Sequence, residues 1–280
     1  MTLSSPSLFK KHIAITQEHG SWVFLFSPLI IGLFAGGRWT AASGFLVLTA
    51  LAVFLFKQPL TVTVKIISGR RGRQDLPAAY FWMAIYGVFA LIGFVGMAWQ
   101  GAAWLAVLGL PGLPVLVWYL YLVSRRAERR QLGVEIVASG ALALGAPAAY
   151  WLGVGEVDAL GWWLWLLTWF QAAASIVYAA LRLEQREWPE LPGLGQRLKA
   201  GARALGYTGF NWLLALGLGF GGVIPVGAAW AFGLQFAETV WGSVRPAIGL
   251  RPARIGIRQL IVSVLFTVLF IVFWDVIRAI

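Results

Sequence analysis

The sequence predicts an all-α polytopic membrane bundle of about nine transmembrane helices, and three observations carry that prediction. Of 280 residues, 60% are hydrophobic and only 12% are charged, about half the charged share of a soluble domain. Mean hydropathy is +0.78. The 16 Trp and 33 Gly suit a chain that anchors rings at bilayer interfaces and brings helices close together. Residues 1–280 read as a single integral membrane domain.

A span needs about 20 apolar residues. The first apolar segment, 21–37, follows Lys10 and Lys11 and has no small-residue cleavage site after it. It is therefore expected to be a retained span and not a removed signal peptide. The second covers 40–56 and runs into a cationic exit. The third and fourth, 79–99 and 101–123, divide at Gln100. The fifth, 133–153, begins after SRRAERRQLG, and the sixth, 159–181, follows GVGEVD. The seventh and eighth, 204–220 and 221–241, are separated only by GFGGVIP, and 255–277 is the ninth.

Nine spans place 20 of the 22 Lys and Arg on one side, leaving only Arg38 and Arg278 on the other. By the positive-inside rule the N-terminus is expected in the cytoplasm and the C-terminus outside. The formal charge of +11 then follows from topology and does not call for nucleic acid. Cys is absent, which excludes thiolate metal sites, disulfides and cysteine nucleophiles. With two His in all, and His12 in the N-terminal tail, a haem held by two buried histidines is excluded. No P-loop, GxSxG or HExxH motif is present. No cofactor and no metal are expected.

Chemistry concentrates in FKQPLTVTVKIISGRRGR, Phe56 to Arg73, which holds five cations and no carboxylate. Arg70, Arg71 and Arg73 are expected to set topology and touch anionic headgroups, or else to join an anion site. Lys57, Thr61 and Lys65 recur at i, i+4, i+8 and line one face of a continuing helix. Gln58 stands beside them, and Pro59 is expected at a first turn or a break. Ahead of the first span, TQEHGSW supplies Gln17, Glu18, His19 and Ser21. His19 suits an acid/base, metal-ligand or quinone hydrogen-bonding role, or an interfacial cap.

In SRRAERRQLGVE, Arg125, Glu128, Arg129 and Glu135 have the spacing of ion pairs on a helix. Glu135, just inside the fifth span, is expected to pair with Arg182, or locally with Arg129 or Gln131. In the sixth span Ser175, Tyr178, Arg182 and Gln185 form one stripe, which bilayer energetics turn inward.

TQEHGSWVFLFSPLIIG, the KQP of Lys57 to Pro59 and ERRQLGVEIVASGALALGAPAAYWLG resemble the YwiC-like family of bacterial membrane proteins, which has no established activity. That likeness covers most of the chain and implies a bacterial inner-membrane location. A more distant resemblance is to the UbiA-type prenyltransferases, nine-helix enzymes whose second and sixth helices end in Asp-rich motifs that hold Mg²⁺ and a prenyl diphosphate. Their first motif falls on Lys57, Gln58, Thr61 and Lys65, with Arg70 and Arg71 following. The second falls on Ala174, Ser175, Tyr178, Ala179 and Arg182, where only the Tyr-Ala pair is kept. Every carboxylate position carries Lys, Gln, Thr, Ser or Arg, a set that repels Mg²⁺.

The UbiA resemblance implies a UbiA-like bundle with Lys57, Gln58, Thr61, Lys65, Glu135, Tyr178, Arg182 and His19 around one cytoplasm-facing cavity. Ammonium and guanidinium groups there are expected to hold the anionic head of a membrane lipid or of an isoprenoid or quinone-type amphiphile without metal. Catalytic residues are not assigned. The competing reading is a non-catalytic membrane subunit or a transporter-like protein with no prenyl substrate.

Overall fold

A computed structural model describes residues 8–16, 19–128 and 131–278, without the side chains of residues 19 and 275–278. Gln17, Glu18, Arg129 and Arg130 lie outside the described residues, as does the His19 side chain. The helices in chain order are α1 (Lys11–Ala14), α2 (His19–Gly36), α3 (Ala41–Ile67), α4 (Leu76–Trp99), α5 (Gly112–Ser124), α6 (Leu132–Ala143), α7 (Gly145–Val154), α8 (Ala159–Gln185), α9 (Leu194–Phe220), α10 (Ala229–Val244) and α11 (Pro252–Arg278). Short 3₁₀ turns stand at Arg73–Asp75, Ala103–Gly109 and Val226–Ala228. No β-strand occurs among the described residues.

The apolar segments read from the sequence fall mainly on helix, with turn at 221–225 and turns and a 3₁₀ stretch within 101–111, and the all-α membrane class holds. Six stretches among the described residues are long and apolar enough to cross a membrane: Ala41–Ile67, Arg73–Trp99, Ala103–Ser124, Leu132–Val154, Ala159–Gln185 and Pro252–Trp274. Gly20–Gly36 is a shorter apolar helix. α9 falls outside this set, since its first turns carry Arg197, Lys199 and Arg203. So does α10, only 16 residues long.

Two boundaries differ usefully from expectation. α3 runs eleven residues past Phe56, straight through Pro59. Proline removes one helical donor, but a helix within a bilayer that loses one bond still has no better alternative. Residues 125–128 and 131 are not helical, so Arg125, Glu128 and Glu135 do not share one helix face.

The chain divides into two compact units, Met1–Glu18 with Trp39–Ala141, and His19–Arg38 with Leu142–Ile280. In the first, α3 and α4 form a close antiparallel pair, with Gly93 and Gly96 against Thr49 and Phe45. The strap formed by residues 8–16 lies on this pair. Its backbone carbonyls at Leu8, His12 and Ala14 accept hydrogen bonds from Trp82 Nε1 (3.1 Å), Gln58 Nε2 (2.9 Å) and Tyr86 OH (2.7 Å). Ile13, fully buried, packs among Val62, Ile66, Ala78 and Ala79.

In the second unit α2 packs on α7 through small residues. A Cβ on Gly36 would sit 2.9 Å from the Tyr150 carbonyl oxygen and 3.2 Å from Gly153 Cα, so only glycine permits that approach. α8 starts at Asp158, which accepts from Gly161 N (3.0 Å), Trp151 Nε1 (3.1 Å) and Tyr150 OH (2.9 Å), an N-cap that also pins α7. Phe232, Phe266, Phe270 and Trp274 stack as the aromatic core between α10 and α11.

Candidate functional site

The cationic exit of α3 is built by a helix-stop motif. Gly69 adopts φ +70°, its N–H reaches the Ile66 carbonyl and the Arg70 N–H reaches that of Lys65, the two bonds of a Schellman turn. The chain leaves α3 abruptly, and Arg70 and Arg71 turn back instead of extending into solvent.

α5 ends in the same way. Arg126 takes the left-handed position, φ +61°, while its N–H bonds Val123 O and the Ala127 N–H bonds Leu122 O. That turn carries Glu128 to Arg70. Its two oxygens accept from Arg70 Nη2 at 2.8 Å and Nη1 at 3.1 Å, and Arg70 Nη1 also donates to the Val123 carbonyl. Lys65 Nζ stands 3.8 Å from the same carboxylate. The hydrogen bonds from Arg70 hold the Glu128 carboxyl below the ordinary glutamate value of 4.5, and Arg70 and Lys65 charge adds to them against the opposing effect of burial. Glu128 thus makes an ion pair that spans 58 residues.

Arg71 has its own carboxylate. Asp75 gives one oxygen to Arg71 Nε (2.6 Å) and the other to Lys10 Nζ (2.6 Å), which ties the strap to the α3–α4 turn.

Between these pairs opens a cleft of about 520 Å³, lined by His12, Thr16, Gln58, Thr61, Val62, Lys65, Arg71 and Tyr119. It gathers Gln58, Thr61 and Lys65 from the expected site. Lys57 stands next to it, with Nζ over the Tyr119 ring at 4.3 Å from the centroid. Thr61 is buried and spends its hydroxyl on the Lys57 carbonyl (2.7 Å). Glu135, in the first turn of α6, is exposed.

Tyr178 and Arg182 belong to the second unit and are buried there, at 2% and 3% exposure. Arg182 Nη1 donates to Gln185 Oε1 (2.8 Å), Gly242 O (2.6 Å) and Arg245 O (2.7 Å). The last two lie at the C-terminal end of α10, where helical carbonyls lack partners and the helix dipole is negative. Arg197 caps the neighbouring Val244 carbonyl at 2.6 Å. Tyr178 OH reaches Glu238 Oε1 (3.0 Å). Glu238 also takes two bonds from Arg258, at 2.6 and 2.7 Å, and the Arg258 guanidinium lies 3.6 Å from the Trp241 ring centroid.

Sequence reasoning missed Lys10, Asp75, Tyr119, Glu238 and Arg258. Asp75 and Glu238 carried a usable signal, since a carboxylate is rare in this chain and Glu238 interrupts an apolar run. Among the described residues no three His, Cys, Asp or Glu side chains come together as a metal site requires.

Comparison with known proteins gives a family likeness and no activity. No solved structure matches the chain. The uncharacterized protein YwiC of Bacillus subtilis (strain 168) is 27% identical over 179 residues, covering 62% of this chain and 68% of that protein. The model of the YwiC-like protein family matches residues 15–150, a stretch that contains EHGSW, KQP and most of the cleft lining. Over those residues this helical membrane protein is similar to the YwiC-like family.

Proposed function

We propose that the cleft of the first unit receives the anionic head of a membrane amphiphile, with ammonium and guanidinium groups doing what Mg²⁺ does in prenyltransferases. The observation that carries this reading is the joint lining of one opening by Lys65, Arg71, Gln58 and His12, donors and cations with no carboxylate among them. Its volume suits a lipid or isoprenoid headgroup. The proposed setting is the bacterial inner membrane with the N-terminus cytoplasmic, supported by the 20 to 2 division of cations. Glu135 of the same unit, and His19, Tyr178 and Arg182 of the second unit, remain proposed contributors to amphiphile binding, to be assigned by substitution.

The test is mass spectrometry of lipids and quinones that survive gentle purification, with and without EDTA. Enrichment of a defined anionic amphiphile in native protein, lost in Lys65→Glu and indifferent to EDTA, is expected. Bulk phospholipid alone favours the second reading, a non-catalytic membrane subunit or transporter-like protein. One observation speaks for that second reading, namely that both cleft cations already have carboxylate partners. Reporter fusions check the orientation, with those after Gln100 and Asp158 expected outside and those after Arg73 and Arg130 in the cytoplasm.

A further inference from the structure

The two carboxylates behind the cleft share a design. Asp75 sits between Arg71, which lines the cleft, and Lys10, which does not. Glu128 sits between Lys65, which lines it, and Arg70, which does not. Both carboxylates are nearly buried, with side chains 10% and 13% exposed, whereas Lys65 and Arg71 are 33% and 28% exposed. The split is even for Asp75, at 2.6 Å to each cation. It is uneven for Glu128, held in a fork by Arg70 and 3.8 Å from Lys65. Four cations thus share two carboxylates, leaving an excess of two positive charges.

We infer that Asp75 and Glu128 are resident counter-anions, exchanged at Lys65 and Arg71 for a doubly charged phosphate head that enters the cleft. This rests on the anion-site reading above and adds the ligand's charge class and its competitors. On entry each carboxylate keeps its outer cation, Asp75 with Lys10 and Glu128 with Arg70, so no buried charge is left unpaired. The incoming oxygens take over Lys65 and Arg71, and the two charges of the head match the excess. A singly charged head leaves one cation unmatched and does not displace Asp75. Lys65 is loosely held and is the first contact; Arg71 is the second. Because Asp75 also fastens Lys10, exchange loads the strap's tie onto a single ion pair and couples occupancy to the residues that form one wall of the cleft.

The experiment uses the full chain in phosphatidylcholine nanodiscs doped at pH 8 with phosphatidic acid, doubly charged there, or with singly charged phosphatidylglycerol. Inorganic pyrophosphate is titrated in parallel. Native protein should retain phosphatidic acid over phosphatidylglycerol. Asp75→Asn should tighten retention about tenfold and Glu128→Gln about threefold, since neutralising each competitor removes a cost of about 1.4 and 0.7 kcal/mol. Saturable pyrophosphate binding with the same order of variants supports the exchange with a soluble source. Phosphatidic acid retained by native protein, lost in Lys65→Glu, yet unchanged or weakened in both carboxylate variants overturns the exchange and leaves the anion site standing. Equal retention by native and Lys65→Glu protein overturns both. Glu128→Gln keeps an acceptor for Arg70, so it remains informative where Asp75→Asn releases the strap, which the unfolding temperature of each variant reports.

Discussion

Arg71 in the first unit and Arg182 in the second meet their partners in opposite ways. Arg71 faces a carboxylate on the wall of an open cleft. Arg182 is 3% exposed and donates to a glutamine and two backbone carbonyls at a helix end. A carboxylate partner can be traded for another anion at low cost. A helix terminus cannot be traded, because its carbonyls are fixed by the fold, and beside Arg182 only Gln185 Nε2 reaches the Gly242 carbonyl, at 3.3 Å. Equal charges thus serve exchange in one place and construction in the other, and the nature of the acceptor decides which.

The strongest way to break this comparison is Arg182→Met. It takes the Arg182 donor from the Arg245 carbonyl and leaves the Gly242 carbonyl only Gln185 Nε2 at 3.3 Å, and should cost about 3 kcal/mol, read as lowered unfolding temperature in detergent. A loss no larger than that of an exposed lysine would show that Arg182 is not a structural cap.

Glu128→Gln should cost about 1.5 kcal/mol by weakening the fork with Arg70. The same tie has a pH signature. Because the folded-state carboxyl titrates below its ordinary value of 4.5, its stabilisation is complete above that value and disappears as pH falls through the lower folded value. Unfolding temperatures of native and Glu128→Gln protein should therefore converge in acid below pH 4.5 and diverge above it. Parallel curves would remove the ion pair from the account.

Arg71→Met should cost less than about 1 kcal/mol, since a partly exposed pair is lost and Lys10 stays on Asp75. A cost equal to that of Arg182→Met would erase the distinction between the two regions. The smallest effect is a gain. Arg126→Gly should stabilise by about 0.5 kcal/mol, because glycine takes the left-handed turn position without the strain an arginine side chain brings.

Periodicity made much of this legible in the sequence. The Ser175, Tyr178, Arg182 and Gln185 stripe is buried along α8, and Lys57, Thr61 and Lys65 do follow one face of a helix that continues past Pro59. The partners were hidden for a physical reason. Spacing rules reach three or four residues along a helix, whereas Arg70 finds Glu128 across 58 positions and Lys10 finds Asp75 across 65. Placing Arg125 and Glu128 on a helix surface concealed the first of these. A Gly69 that stops α3 was visible in ISGRRGR, but that an arginine would serve the same turn after α5 was not, since no composition rule favours it.

The strap has a consequence for how the chain is made. Its carbonyls at Leu8, His12 and Ala14 are claimed by side chains at positions 82, 58 and 86, and its lysine by Asp75. None of those partners exists while the first residues leave the ribosome. The strap must therefore wait, undocked, until α3 and α4 have both been synthesised, at about 5–20 residues per second. What is held is the strap's main chain, so the delay is set by the order of synthesis and not by the identity of Leu8, His12 or Ala14.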